Sequence, residues 1–109
     1  MDKYSIVVTP NAIIQINEIT SYISKVLLNP KAALDFLDSI KEKTSKLVLF
    51  PYAYSLTNEQ PWNRVGIRKI LLKSFVIYYV VKEDTKQVFI IAVINNRRNQ
   101  LEQMKNLVI

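Results

Sequence analysis

A chain of 109 residues, half of it hydrophobic, supports one packed core and not two. It has no cysteine and no histidine, which excludes a disulfide scaffold, a thiol nucleophile, a serine–histidine triad and the commonest metal ligands. The net charge of +6 points to an anionic partner, and any chemistry falls to Lys, Arg, Tyr or carboxylates; neither metal nor cofactor is expected.

Tyr4-Ser-Ile-Val-Val-Thr9 is rich in β-branched residues and reads as a first strand. Thr9-Pro10 then supplies a helix cap followed by a first-turn proline. Ala12, Ile16, Ile19, Ile23 and Val26 recur in steps of four and three, the stripe of an amphipathic helix. Asn29-Pro30 repeats the cap signal. The second helix carries Ala33, Leu37, Ile40, Thr44 and Leu47 on its apolar face and ends at Phe50-Pro51. So short a connection makes the pair an antiparallel hairpin.

Residues 52–63 lack periodicity and form a loop, in which Trp62 is expected to anchor the chain rather than stack on a base. Three strands follow: Val65–Leu72, Phe75–Val81 and Val88–Ile94. The lone glycine, Gly66, marks a bulge or a close backbone approach. The last two strands are apolar on both faces, as in the middle of a covered sheet, and the polar run Glu83–Lys86 turns between them. Leu101, Met104 and Leu107 at helical spacing suggest a final helix over Arg98–Leu107. The order β-α-α-β-β-β makes residues 1–109 one α+β domain, a helical hairpin packed on a mainly antiparallel four-stranded sheet.

The N-terminus shows no signal-peptide pattern, and no apolar run approaches the roughly 20 residues of a membrane span. A cytoplasmic protein without a membrane partner is expected. Residues 1–59 balance six Lys against six Asp or Glu, so the whole excess lies in residues 60–109. Between Gln60 and Lys82 there are five basic residues and no acid. Such a field draws polyanions (nucleic acid, an acidic protein segment or a membrane surface); the alternative is a solvated basic surface that keeps the protein soluble.

Four stretches together resemble the RelE/ParE superfamily of toxins. Tyr4-Ser-Ile-Val-Val-Thr-Pro-Asn-Ala12 is similar to the family's first strand entering its first helix. Asn29-Pro-Lys-Ala-Ala-Leu-Asp-Phe-Leu37 and Leu49-Phe-Pro51 resemble the start and end of the second. Gly66-Ile-Arg-Lys-Ile70, followed by Phe75-Val-Ile-Tyr-Tyr-Val-Val81, resembles the family's glycine-x-arginine strand and its successor. Val93-Ile-Asn-Asn-Arg-Arg98 looks like the closing strand with its basic pair. The resemblance implies the toxin of a type II toxin–antitoxin pair, held in a hetero-oligomeric complex by a cognate antitoxin. Its target would be the ribosome and its mRNA for a RelE-like endoribonuclease, or DNA gyrase for a ParE-like inhibitor.

Metal-free RNA cleavage needs a group to take the 2′-hydroxyl proton, cations for the charged transition state and an acid for the leaving oxygen. By the resemblance, Lys69 falls on an active-site lysine of the nucleases, and Arg97 or Arg98 on the arginine after the last strand. Ile67 and Val76 stand where two further basic residues would be, and no tyrosine or histidine follows Arg98. The catalytic candidates are Arg68, Lys69 and Arg97; the target-binding candidates are Arg64, Lys73, Arg98 and Tyr79. Strand alternation puts Lys69 and Lys73 on one face and Arg64 and Arg68 on the other, unless a bulge near Gly66 resets the phase. Arg68 has a structural alternative, pairing with Asp35 or Asp38 on the second helix. Tyr78 and Tyr79 point to opposite faces. A third reading, a non-catalytic nucleic-acid-binding module of the same fold, would interleave exposed aromatics with the basic run; here they lie mostly in apolar strands.

Overall fold

The computed structural model describes residues 2–95, so Arg97, Arg98 and the expected final helix lie outside the described residues. Strand β1 (Ser5–Val8) leads into helix α1 (Pro10–Ser21), a π-helical turn over Tyr22–Val26, and helix α2 (Pro30–Ser45). Strands β2 (Arg68–Leu72), β3 (Phe75–Lys82) and β4 (Gln87–Asn95) complete a sheet of order β1-β4-β3-β2. β1 runs parallel to β4 and the other pairings are antiparallel. The expected α+β architecture is observed.

Both cap signals act as the sequence suggests. The Thr9 hydroxyl accepts from the Ala12 N–H at 3.3 Å, and Asn29 Oδ1 accepts from the Ala32 N–H at 3.1 Å, each before a first-turn proline. The stripes are only partly as read. Ala12 and Ile23 are buried and Ile16 and Ile19 pack on the core, but Val26 is exposed. The π turn adds a residue to the helical repeat just before it and rotates Val26 outward. On α2 the buried ring is Phe36, not Leu37, because Phe36 meets Phe75 of β3 at 4.9 Å between centroids.

The sheet is buried on both sides. Toward the helices, Ile70, Leu72, Ile77, Tyr79, Val88, Ile90 and Val93 join the helical residues in one cluster. On the other face Ile67, Val76, Tyr78, Val80, Ile91, Ala92 and Ile94 form a second, with Trp62 packed against it. Ile91 and Ala92 follow each other in the same cluster because of a bulge: Tyr78 pairs with Ala92 and Tyr79 with Ile90. The bulge expected near Gly66 is therefore in β4. Gly66 instead ends a 3-10 turn over Trp62–Val65, at φ 85°, a left-handed conformation that glycine adopts without strain. The same turn means that β2 starts at Arg68 and that Arg64 is not on a strand.

β1 covers β4 only as far as Ile90. Beyond it, α1 takes the place of a missing strand. The Thr9 hydroxyl donates to the Ile90 carbonyl at 3.1 Å, Asn11 Nδ2 donates to the Ile91 carbonyl at 2.9 Å, and Gln15 Oε1 accepts from the Val93 N–H at 2.8 Å. Asn11 and Gln15, one turn apart on α1, thus satisfy backbone groups of β4 past the end of β1. Gln15→Leu is expected to cost about 1–3 kcal/mol, because the Val93 amide loses its acceptor; denaturant melts of the two proteins read this directly.

Candidate functional site

The segment from Pro51 to Gly66 crosses the outer edge of β2 and delivers side chains to both faces of the sheet. It is fixed there by backbone bonds from the Thr57 N–H to the Ile67 carbonyl at 2.9 Å and from the Lys69 N–H to the Ser55 carbonyl at 3.2 Å. The Gln60–Pro61 peptide within it is cis. Two clusters result, one per face, and each contains one of the basic residues that the sequence singles out.

On the helix side, Arg68 Nη1 donates to the Tyr54 carbonyl at 2.8 Å, and its guanidinium lies 4.9 Å from the centre of the Tyr52 ring. Neither Asp35 nor Asp38 is its partner. Beside it Tyr79, fully buried, donates its hydroxyl to the Pro51 carbonyl at 2.9 Å. Both residues therefore tie the segment after α2 to the sheet. Tyr79 has no surface to offer a target.

On the other face Lys69 stands opposite Tyr78 across the β2–β3 ladder. Its ammonium is 3.9 Å from Glu59 Oε1, with the two side chains 26% and 18% exposed. Asn63, whose N–H donates to the Glu59 carbonyl at 3.1 Å, shares the turn with Trp62. Glu59 Oε2 and Asn63 Oδ1 are covered and have no hydrogen-bond partner among the described residues. Arg64 is exposed on this turn, and Lys73 sits in the β2–β3 hairpin at φ 36°. Strand alternation thus separates Arg68 from Lys69, as expected, whereas Arg64 and Lys73 escape it by lying in turns. Glu59 carries no motif in the sequence that marks it as a partner of Lys69. Its signal is that it is the one acidic residue between Glu42 and Glu83.

The phenols of Tyr78 and Tyr79 are both raised above their ordinary value of 10.0. Burial is the main cause for each, reinforced at Tyr78 by the charge of Glu59. A tyrosine raised in the folded state binds its proton more tightly than the unfolded chain does. Stability is then unaffected below the unfolded value, near 10, and falls as pH climbs past it. Denaturation midpoints should hold level through neutral pH and drop steeply above about pH 10, a loss that Tyr78→Phe reduces.

Among the described residues no group of side chains could hold a metal ion, and no helix is long and apolar enough to cross a membrane.

The fold recurs in solved toxin–antitoxin structures. A chain of the chromosomal ParDE system from P. aeruginosa superposes with a TM-score of 0.68 at 22% identity, covering 85% of this chain and 96% of its own. For the RelBE2 complex of Mycobacterium tuberculosis the TM-score is 0.62 at 13% identity, covering 90% and 97%. For a mutant of E. coli toxin RelE in the free state it is 0.61 at 17%, covering 93% and 92%. No curated protein sequence matches. The family described as the ParE toxin of the type II toxin–antitoxin system, parDE, matches residues 6–100, so the chain belongs to the ParE toxin family of type II toxin–antitoxin systems.

Proposed function

We propose that this toxin poisons its target by binding it, as a ParE-like inhibitor of DNA gyrase, and not by cutting mRNA. The observation that carries this reading is the separation of Arg68 and Lys69 onto opposite faces of the sheet, each already engaged by a protein group. Acid–base cleavage of RNA needs its proton acceptor and its transition-state cations within hydrogen-bond reach of one phosphate. Two cations with the sheet between them do not meet that requirement. Arg68 then serves as a strut, and Lys69 with Arg64 forms the surface that meets the target, whereas Lys73 lies on the helix side beside Asp35 and Phe36. The match to the ParE toxin family supports this choice.

The toxin works in the cytoplasm, where gyrase and its DNA are, and a cognate antitoxin keeps it silent in a hetero-oligomeric complex. Charge supports such a partner: the +6 chain complements an acidic segment, and opposite fields speed association. Inducing the chain alone should arrest growth with full-length transcripts intact, and co-expressing its neighbouring partner gene should restore growth. Unimpeded growth at confirmed expression would contradict the reading.

A further inference from the structure

Across residues 43–82 the chain has seven basic residues and a single acid, Glu59. That acid is the group facing Lys69. A carboxylate kept for structure is normally held by short hydrogen bonds to amides or hydroxyls. Glu59 is held differently. Its Oε1 stands 3.9 Å from the ammonium, beyond hydrogen-bond length, and its covered Oε2 has no hydrogen-bond partner among the described residues. Next to it, Tyr78 is kept neutral by burial and by the Glu59 charge itself. The turn therefore places a negative charge beside one lysine and gives it little else to do. At this distance the pair is held by charge alone, without a hydrogen bond to fix it.

We propose that Glu59 is an internal stand-in for a phosphate. It occupies the Lys69 ammonium in the free toxin, a backbone phosphate of nucleic acid displaces it, and the exchange sets the affinity of this face. A lysine ammonium is a compact point charge suited to a phosphate oxygen, which can approach closer than the carboxylate does here. Nucleic acid is the ligand argued for because exposed Arg64, on the same turn, offers a second cation to the adjacent phosphate of a polyphosphate backbone. The proposal rests on the reading that this face meets the target. Growth arrest tests that reading, whereas the following experiment needs no cell and no gyrase.

A labelled oligothymidylate of about 12 nucleotides is titrated with the wild-type chain, Glu59→Gln, Lys69→Met and the double variant, at several salt concentrations. When phosphate displaces Glu59, the freed carboxylate collects a cation and cancels the one that the phosphate releases. Without that carboxylate, the Lys69 contact should register in full. Glu59→Gln is expected to bind about fivefold tighter at ~0.1 M salt, with a log–log salt slope steeper by about 0.7. Lys69→Met alone should leave the slope near that of wild type, and the double variant should lose the gain. A purely structural Glu59 would not change the slope. The proposal is overturned if Glu59→Gln binds no tighter, if its gain survives in the double variant, or if neither it nor wild type binds the oligonucleotide. Should Glu59→Gln fail to fold, Glu59→Asp withdraws the carboxylate and must show a smaller gain in the same direction; affinity equal to wild type overturns the idea.

Discussion

Phe36→Ala should cost about 3–5 kcal/mol, enough to leave a domain of this size largely unfolded at growth temperature. Phe36 is the bolt between the helical hairpin and the sheet. It is 8% exposed, its ring meets Phe75 at an interplanar angle of 55°, and it lies in the cluster that includes Ile70, Leu72 and Ile77. Removing the ring loses its transfer energy, the aromatic pair and the packing around the void. The neighbouring Leu37→Ala is the control. Leu37 is 36% exposed, and its truncation should cost only about 1 kcal/mol. Urea melts of both variants decide which residue is on the core stripe; equal losses would mean that α2 is rotated from the arrangement described.

Arg68→Ala should cost about 2–4 kcal/mol. The guanidinium makes a charge-assisted bond to the Tyr54 carbonyl, worth about 1.5–3 kcal/mol, and a cation–π contact with Tyr52, worth about 0.5–1 kcal/mol. Its loss frees the carbonyl and loosens the segment that also positions Glu59. The change in toxicity should follow the change in stability. At reduced temperature, where the variant stays folded, growth arrest should return; a variant that is fully folded yet harmless would place Arg68 in the target contact. Arg68→Lys should recover only part of the stability, since an ammonium cannot reproduce the planar fork over the ring.

The sequence was most readable where local chemistry decides the structure. Thr9-Pro10 and Asn29-Pro30 start helices because side-chain caps and first-turn prolines act within a few residues. The polar run before Gln87 turns because nothing in it can be buried. What escaped depends on distant partners. The choice between Phe36 and Leu37 is one helical step, and only Phe75 makes it. The bulge at Ile91 was hidden for a related reason: β4 is apolar on both faces, so a one-residue slip leaves the hydrophobic pattern unchanged. Gly66 stands out in the sequence as a special backbone position, but a left-handed turn cap and a bulge ask the same thing of a glycine.

For the site, alternation along β2 separates Arg68 from Lys69, and this much was legible. Arg64 and Lys73 fall on alternating faces only if the strand runs past its ends, and β2 spans Arg68–Leu72 alone. The roles of Tyr79 and Glu59 were not legible, because each is fixed across the chain. Tyr79 meets Pro51 and Glu59 meets Lys69, contacts set by the path of the 51–66 segment over the sheet edge.

The central claim is that this ParE-family toxin binds its target without cleaving RNA. Its most direct test is a supercoiling assay with purified gyrase, relaxed plasmid and increasing amounts of the purified chain. On this reading supercoiling is lost as toxin is added, and Lys69→Met weakens the inhibition while remaining folded. Undiminished supercoiling, together with codon-phased cuts when the same protein is added to translating ribosomes, would contradict it.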